Sequence, residues 1–292
     1  MTYDKLIEKI NRVNEQQERD MPSLPHCSNL LYQLNKKKKG KEDYCTELVN
    51  RYLATRDITY TPDDVASYVK NLTLSVNNYM NFFWPPANNP FKAQADFNSS
   101  IIPEMLCTIF GEMIKNEDLG LEVSAQKNLT IECTFDLVEG GNVNFKNKRV
   151  DVAVVKPCEM IFNGISYELP IPLVAIECKT NLDKNMISGI EHSVDDLKKT
   201  FPSCLYFVVT ELSDFNIKNN YASSGIDEMY VLRKQKRAPV RRDPNARKPL
   251  EADLILEILK NVKKTIEAMR ENITDLESRM NNGKLIGGKH EG

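Results

Sequence analysis

The stretch that decides the fold is Arg149-Val-Asp151-Val-Ala-Val-Val155, followed by Pro172-Leu-Val-Ala-Ile-Glu177-Cys178-Lys179-Thr180. Both pieces are short apolar runs. The first carries a carboxylate near its start, and the second ends in Glu-x-Lys. Between them Asn163-Gly164 sits among β-formers, and Asn-Gly supplies the two positive-φ residues that a type I′ hairpin turn requires. The two runs are therefore expected to be antiparallel neighbours. A two-residue turn at 163–164 sets Asp151 opposite Ile176, one step short of Glu177, which sends the two acids to opposite faces. One bulge restores a common face, and Pro157, Pro170 and Pro172 argue against an unbroken ladder. Glu177 and Lys179 share a face by the two-residue strand period.

Charges at the end of so apolar a strand are costly unless they are paired or bind a metal. Two carboxylates converging beside a lysine suit a hard divalent cation such as Mg2+, which takes oxygen ligands and keeps several waters. The lysine would then orient or deprotonate a water that attacks a phosphodiester.

Asp151, then Glu177-x-Lys179, in the order strand, strand, helix, resembles the PD-(D/E)xK nuclease superfamily over roughly residues 95–212. The wider context, Phe97-Asn-Ser-Ser-Ile-Ile-Pro103-Glu104-Met-Leu and Glu177-Cys-Lys-Thr-Asn-Leu-Asp183-Lys184-Asn-Met, is similar to type II restriction endonucleases of the DdeI/BbvCI group, which cut sites of the CTNAG kind. Val150 stands where the superfamily motif has proline, a position that holds no metal. The resemblance implies a restriction-endonuclease-like α/β fold: a mixed central sheet of four or five strands flanked by helices. It also implies Mg2+, with Mn2+ able to substitute, held by Asp151, Glu177 and the Cys178 carbonyl, with Lys179 activating the water. Nucleases of this superfamily often bring a helix-borne Glu to the metal, which makes Glu104 a candidate fourth acid. The other reading of Glu104 is a first-turn acid that complements the helix dipole.

Composition is compatible with this. The 292 residues are 41% hydrophobic and 27% charged, and the formal net charge is −2, so a DNA enzyme of this kind must gather its positive residues locally. Seven cysteines with no CxxC pair argue against a disulfide framework or a zinc finger, and three scattered histidines against a His-based metal site. No apolar stretch approaches the ~18–20 residues that span a bilayer, and no signal-peptide core opens the chain, so the expected location is the cytoplasm.

Residues 1–90 read as a helical subdomain that embraces DNA or forms a dimer, with helices over 2–20, 42–56 and 61–80. The run Lys36–Lys41 is a solvated loop or a phosphate contact. The aromatic stretch 81–91, with the single Trp84, reads as a corner packed on the core or as a wedge against DNA. The nuclease core spans 91–232. It holds a buried helix over 98–116, a strand over 121–138, the two strands quoted above, a helix after Asp183 stopped by Pro202, a central strand over 204–210 and an edge strand over 226–232. Asp183 and Lys184 read as capping rather than catalytic residues. Residues 233–249 read as a basic loop: from 233 to 248 eight basic residues face one acid, and the two prolines inside that run predict an extended chain. Arg237, Arg241, Arg242, Arg247 and Lys248 are its candidates for phosphate contact and guanine readout; a solvated linker is the alternative. Residues 250–292 form a C-terminal helix and tail, whose heptad stripe from Ile255 to Met280 packs on its own domain or on a second copy.

The expected function is thus sequence-specific cleavage of double-stranded DNA by a homodimer or by a pair of related subunits. A repair or junction-cleaving nuclease with the same core, and a non-catalytic DNA-binding or assembly subunit, are the two rivals.

Overall fold

The computed structural model describes residues 3–20, 24–36, 40–84, 91, 95–115, 119–136, 142–214, 224–274, 281 and 283. Nine helices and seven strands are described there: α1 (Tyr3–Asp20), α2 (Pro25–Asn35), α3 (Glu42–Arg56), α4 (Val65–Phe83), α5 (Ala95–Ser99), α6 (Ile101–Ile114), β1 (Glu122–Asp136), β2 (Asn142–Lys156), β3 (Glu159–Phe162), β4 (Ile165–Glu168), β5 (Ile171–Leu182), α7 (Lys184–Thr200), β6 (Leu205–Ser213), β7 (Glu228–Val231), α8 (Arg237–Arg242) and α9 (Ala252–Thr274).

Strands β1-β2-β5-β6-β7 form one mixed sheet, antiparallel from β1 to β5 and parallel from β5 to β7. The strands of the small hairpin β3–β4 pair with each other around Asn163-Gly164, whose φ values of 50° and 76° fit the type I′ turn expected from the sequence. Val155 pairs with Pro172 and Val154 with Val174, so Leu173 is the extra residue of a bulge. That bulge advances the register by one and continues the ladder towards Asp151 opposite Glu177. It is the single repair that the two acids need. The parallel β5–α7–β6 unit is also as expected, and Asp183 caps α7 by accepting from the N–H of Met186 at 3.0 Å.

The sheet carries a core on each face. On one, Val152, Val154, Val174, Ile176, Phe207 and Val209 pack against α6, α9 and the N-terminal helices in one continuous cluster. On the other, Ala153, Val155, Ala175, Tyr206 and Val208 pack against Ile187, Ile190, Val194 and Leu197 of α7. The stripe of α9 is used internally as far as it is described: Ile255, Ile258, Leu259, Val262 and Ile266 are buried in the first core. Asn77 of α4 secures the approach to α9 by bonding both backbone groups of Leu250, at 3.1 and 2.8 Å.

Two expectations need correction. Residues 25–35, to which the sequence reading assigns no helix, form α2: Pro25 stands at the first helical position, where its missing N–H costs nothing. The basic stretch is not extended. Pro239 falls in the first turn of the six-residue helix α8, where proline is tolerated, and Pro244–Ala246 make one 3-10 turn. The residues 37–39 of the lysine run, 85–90 of the aromatic stretch and the heptad positions after Thr274 lie outside the described residues.

Candidate active site

Asp151 does not sit in a regular ladder. Val150 packs in the α7 core with Ala153 and Val155, so the alternation of buried residues slips between 150 and 153. In β1, Val123 and Ala125 face the first core and Leu129 the second, a slip at the same rung. The rung is Gln126–Asp151: Ala125 pairs with Val152 and Lys127 with Val150, with these two between. Gln126 takes up φ 55°, a backbone that costs an L residue other than glycine about 1–2 kcal/mol. Its side-chain amide donates to Oδ1 of Asp151 at 2.8 Å. The other oxygen, Oδ2, accepts from the backbone N–H of Cys178 at 2.8 Å. The carboxylate of β2 is thereby held against the backbone between Glu177 and Lys179 on β5.

Lys179 Nζ donates to Glu177 Oε1 at 2.6 Å, and Lys148 Nζ stands 4.0 Å from Glu177 Oε2. Partial burial works to lower the pKa of Lys179. The Glu177 hydrogen bond and the charges of Glu177 and Asp151 outweigh it and raise the pKa, so the amine is protonated at neutral pH. Burial, then the charges of Asp151 and Glu177, push the Cys178 thiol well up, which makes its sulfur inert. Tyr206, enclosed beneath the site, feels burial first and then Glu177 and Asp151, and keeps its proton.

Glu104 is placed elsewhere. Its Oε1 accepts from Tyr52 Oη at 2.7 Å and its Oε2 from the N–H of Cys27 at 2.8 Å, in a buried cluster with His26 and Tyr79. Burial raises its pKa against the opposing pull of Arg56 and these two donors. The expectation of a fourth acid at the metal is corrected: Glu104 ties α6 to α2 and α3. Its position in the first turn of α6 was legible from sequence, but the polar cluster drawn from four helices was not.

The basic stretch divides in two. Arg241, Arg242 and Lys248 are exposed and Arg237 is half-exposed. Arg247 is turned inward, its side chain 6% exposed, pairing with Glu211 at 2.5 Å and lying 4.6 Å from the Trp84 ring centre. Arg233, fully buried, donates to the same Glu211 carboxylate at 2.8 Å; burial first, against Glu211, lowers its pKa to about 10, so it stays charged. The indole N–H of Trp84 donates to the Pro244 carbonyl at 2.9 Å. Arg247 is thus a structural anchor, a correction to its place among the DNA-contact candidates, and Trp84 is a packed corner.

Among the described residues no group of three or more His, Cys, Asp or Glu is placed to hold a metal. Asp151 and Glu177 form a two-carboxylate set, and each Asp151 oxygen, having accepted one hydrogen bond, keeps a further lone-pair direction. Hard oxygen donors few in number fit Mg2+, which ordinarily takes one or two carboxylates and fills its octahedron with water and phosphate.

The family model of the Bpu10I restriction endonuclease matches residues 96–285, from α5 through the whole sheet and beyond α9. The chain belongs to the Bpu10I restriction endonuclease family. It is accordingly a type II enzyme that cuts double-stranded DNA at specific sequences, with a restriction-endonuclease-like α/β fold. The native BbvCI A2B2 tetramer shows the same fold: TM-score 0.63 at 24% identity, covering 83% of this chain and 96% of that one. None of the curated proteins matches it.

Proposed function

We propose that the chain cuts its site by Mg2+-assisted hydrolysis, with Asp151 and Glu177 as metal ligands, the Cys178 carbonyl beside them, and Lys179 as the group that positions the attacking water. The observation that carries this is the bond from the Cys178 N–H to Asp151, which holds that carboxylate against β5 between Glu177 and Lys179, themselves paired at 2.6 Å. A bound Mg2+ would polarise the phosphate and lower the pKa of a coordinated water. Gln126 and the Cys178 N–H fix the rotamer of Asp151. Lys179, protonated in its pairing with Glu177, acts first as a cation that orients water and phosphate; removal of negative charge from Glu177 and Asp151 would weaken its hold on the proton. Lys148 supplies a second positive group beside Glu177.

Arg237, Arg241, Arg242 and Lys248 are proposed phosphate contacts. Thr210 of β6 pairs with both Lys179 and Val231, so the basic segment leaves the sheet from the same strand ends, about 10 Å across two strand spacings. Cutting two strands calls for paired active sites, and the BbvCI tetramer contains two kinds of subunit; this chain is proposed to pair with a second copy or a related subunit. No helix among the described residues is long and apolar enough to cross a membrane, and cytoplasmic action on DNA is proposed. Family membership favours this over a repair nuclease or a non-catalytic subunit.

The test is incubation of purified protein with plasmid in Mg2+, Mn2+, Ca2+ or chelator, followed by sequencing of the ends. Unique ends in Mg2+ that vanish in Asp151→Asn support the proposal. Cleavage of undiminished rate in chelator would sink it.

A further inference from the structure

We infer that Gln126, which nothing in the Asp-Glu-x-Lys pattern singles out, is the residue that orients Asp151 for metal binding, and that β1 bears a strained backbone for this purpose. The inference rests on the proposed metal role of Asp151. Three described residues other than glycine have positive φ: Asn163 in its hairpin turn, Lys234 in the turn after β7, and Gln126. Only Gln126 is inside a strand, where positive φ inverts the side-chain direction. The inversion has a visible consequence. It coincides with the rung at which both strands exchange their buried faces, and it brings an amide donor to 2.8 Å from Asp151 Oδ1. An ionised carboxylate only accepts, so the group facing it is the NH2 end of the amide.

A backbone outlier persists where its surroundings over-determine it, and such outliers gather at functional sites. Here the restraint is the Asp151 contact itself. With Oδ2 fixed by Cys178, a single bond would leave the carboxylate free to swing about its χ torsions. The bond from Gln126 closes off that freedom and leaves each oxygen a further lone pair. Gln126 also lines a cleft of about 440 Å³ with Asn128, Thr130, Asn147, Phe145 and Tyr167, so it is reachable by solvent and is not a packing residue of either core. It acts through Asp151 and is a positioning residue, not a catalytic one.

Strain and function pull in opposite directions at this position, and that separates them. Gln126→Gly relieves the backbone and deletes the amide. Gln126→Met keeps the length and deletes the donor. Mn2+ binding, read by electron paramagnetic resonance without DNA, is expected to weaken by about 10- to 100-fold in both variants. The Tm of the Gly variant is expected to rise by about 2 °C. Gln126→Asn, with a shorter amide, is expected to recover part of the affinity lost in Met. Under saturating DNA the variants should cut at the wild-type rate once Mg2+ is raised enough to refill the site, a pattern a folding defect does not give. Unchanged Mn2+ affinity in Gln126→Gly and Gln126→Met, with binding lost in Asp151→Asn, overturns the inference and leaves the active-site assignment standing. If Asp151→Asn binds Mn2+ as well as the wild type, or the wild type binds none, both fall together.

Discussion

The backbone N–H of Cys178 and the carboxylate of Asp151 are hydrogen-bonded at 2.8 Å, across two strands that the chain joins only through a hairpin and a bulge. This contact puts acid, acid and amine in one place, and its first consequence concerns chemistry rather than folding. Asp151→Asn, Glu177→Gln and Lys179→Ala should each reduce plasmid cleavage by about 10²–10³-fold or more, as loss of one preorganised electrostatic group does elsewhere. Binding to a DNA fragment carrying the cut site, measured in Ca2+, should survive. Loss of binding in parallel with cleavage would move these residues from the reaction to recognition.

Glu104 should behave differently. Gln in its place can accept from Cys27 N–H and donate to Tyr52 Oη, so Glu104→Gln should retain cleavage to within a few-fold. Glu104→Ala strands both donors in a buried cluster and should destabilise by about 1–3 kcal/mol in a denaturant melt. A Gln variant that folds well yet does not cut would return Glu104 to the metal site.

His26 gives the chain a sensitivity to acid. Burial lowers its pKa to about 3 from an ordinary 6.5, and it is held neutral between Tyr79 Oη at 2.7 Å and Ser100 Oγ at 3.0 Å. Between those two pH values the unfolded chain takes up a proton that the folded chain refuses, so stability falls as pH falls, by about 1.4 kcal/mol per pH unit. Glu104, with its raised pKa, contributes in the opposite sense over the window above 4.5, because there the folded state holds the proton. The measurement is therefore the Tm difference between wild type and His26→Gln, which both retain Glu104. The wild type should lose about 2 kcal/mol relative to the variant from pH 6.5 to 5.0. A difference independent of pH would contradict a neutral His26.

Glu211 is the shared ion-pair partner of two buried guanidinium groups, those of Arg233 and Arg247. Glu211→Ala should cost about 3–5 kcal/mol, since the uncompensated charges stay behind. Arg241→Ala and Arg242→Ala, both on the exposed part of the same segment, should leave the melt unchanged and reduce the salt dependence of DNA binding by about one counterion each. If affinity and its salt slope do not move, the exposed arginines do not face phosphate.

Much of this was legible from residues alone, and the reasons differ from element to element. Asn163-Gly164 announced its turn because few residue pairs accept its backbone, and the mismatch between Asp151 and Glu177 in an ideal ladder required the bulge found at Leu173. Helix α7 was readable from its apolar spacing and its Asp183 cap. What stayed hidden depends on side chains distant in sequence. Glu104 meets Tyr52 from 52 positions away, and Arg247 meets Glu211 from 36, so no local pattern signals either burial. Lys148 had a faint signal, as a base shortly before Asp151. Gln126 had none, because no spacing rule foretells a positive φ in the middle of a strand.

The inward arginines have a mechanical meaning for the outward ones. With Arg233 and Arg247 bolted to Glu211, and Trp84 holding the carbonyl of Pro244, the cationic arm is a bracket rather than a tether. Its shape is fixed when the protein folds, so a duplex that docks there need not freeze a wandering chain, and the entropy loss that weakens floppy basic tails is absent. The angle at which DNA meets the cutting edge is then set by the protein's own framework before any base has been touched.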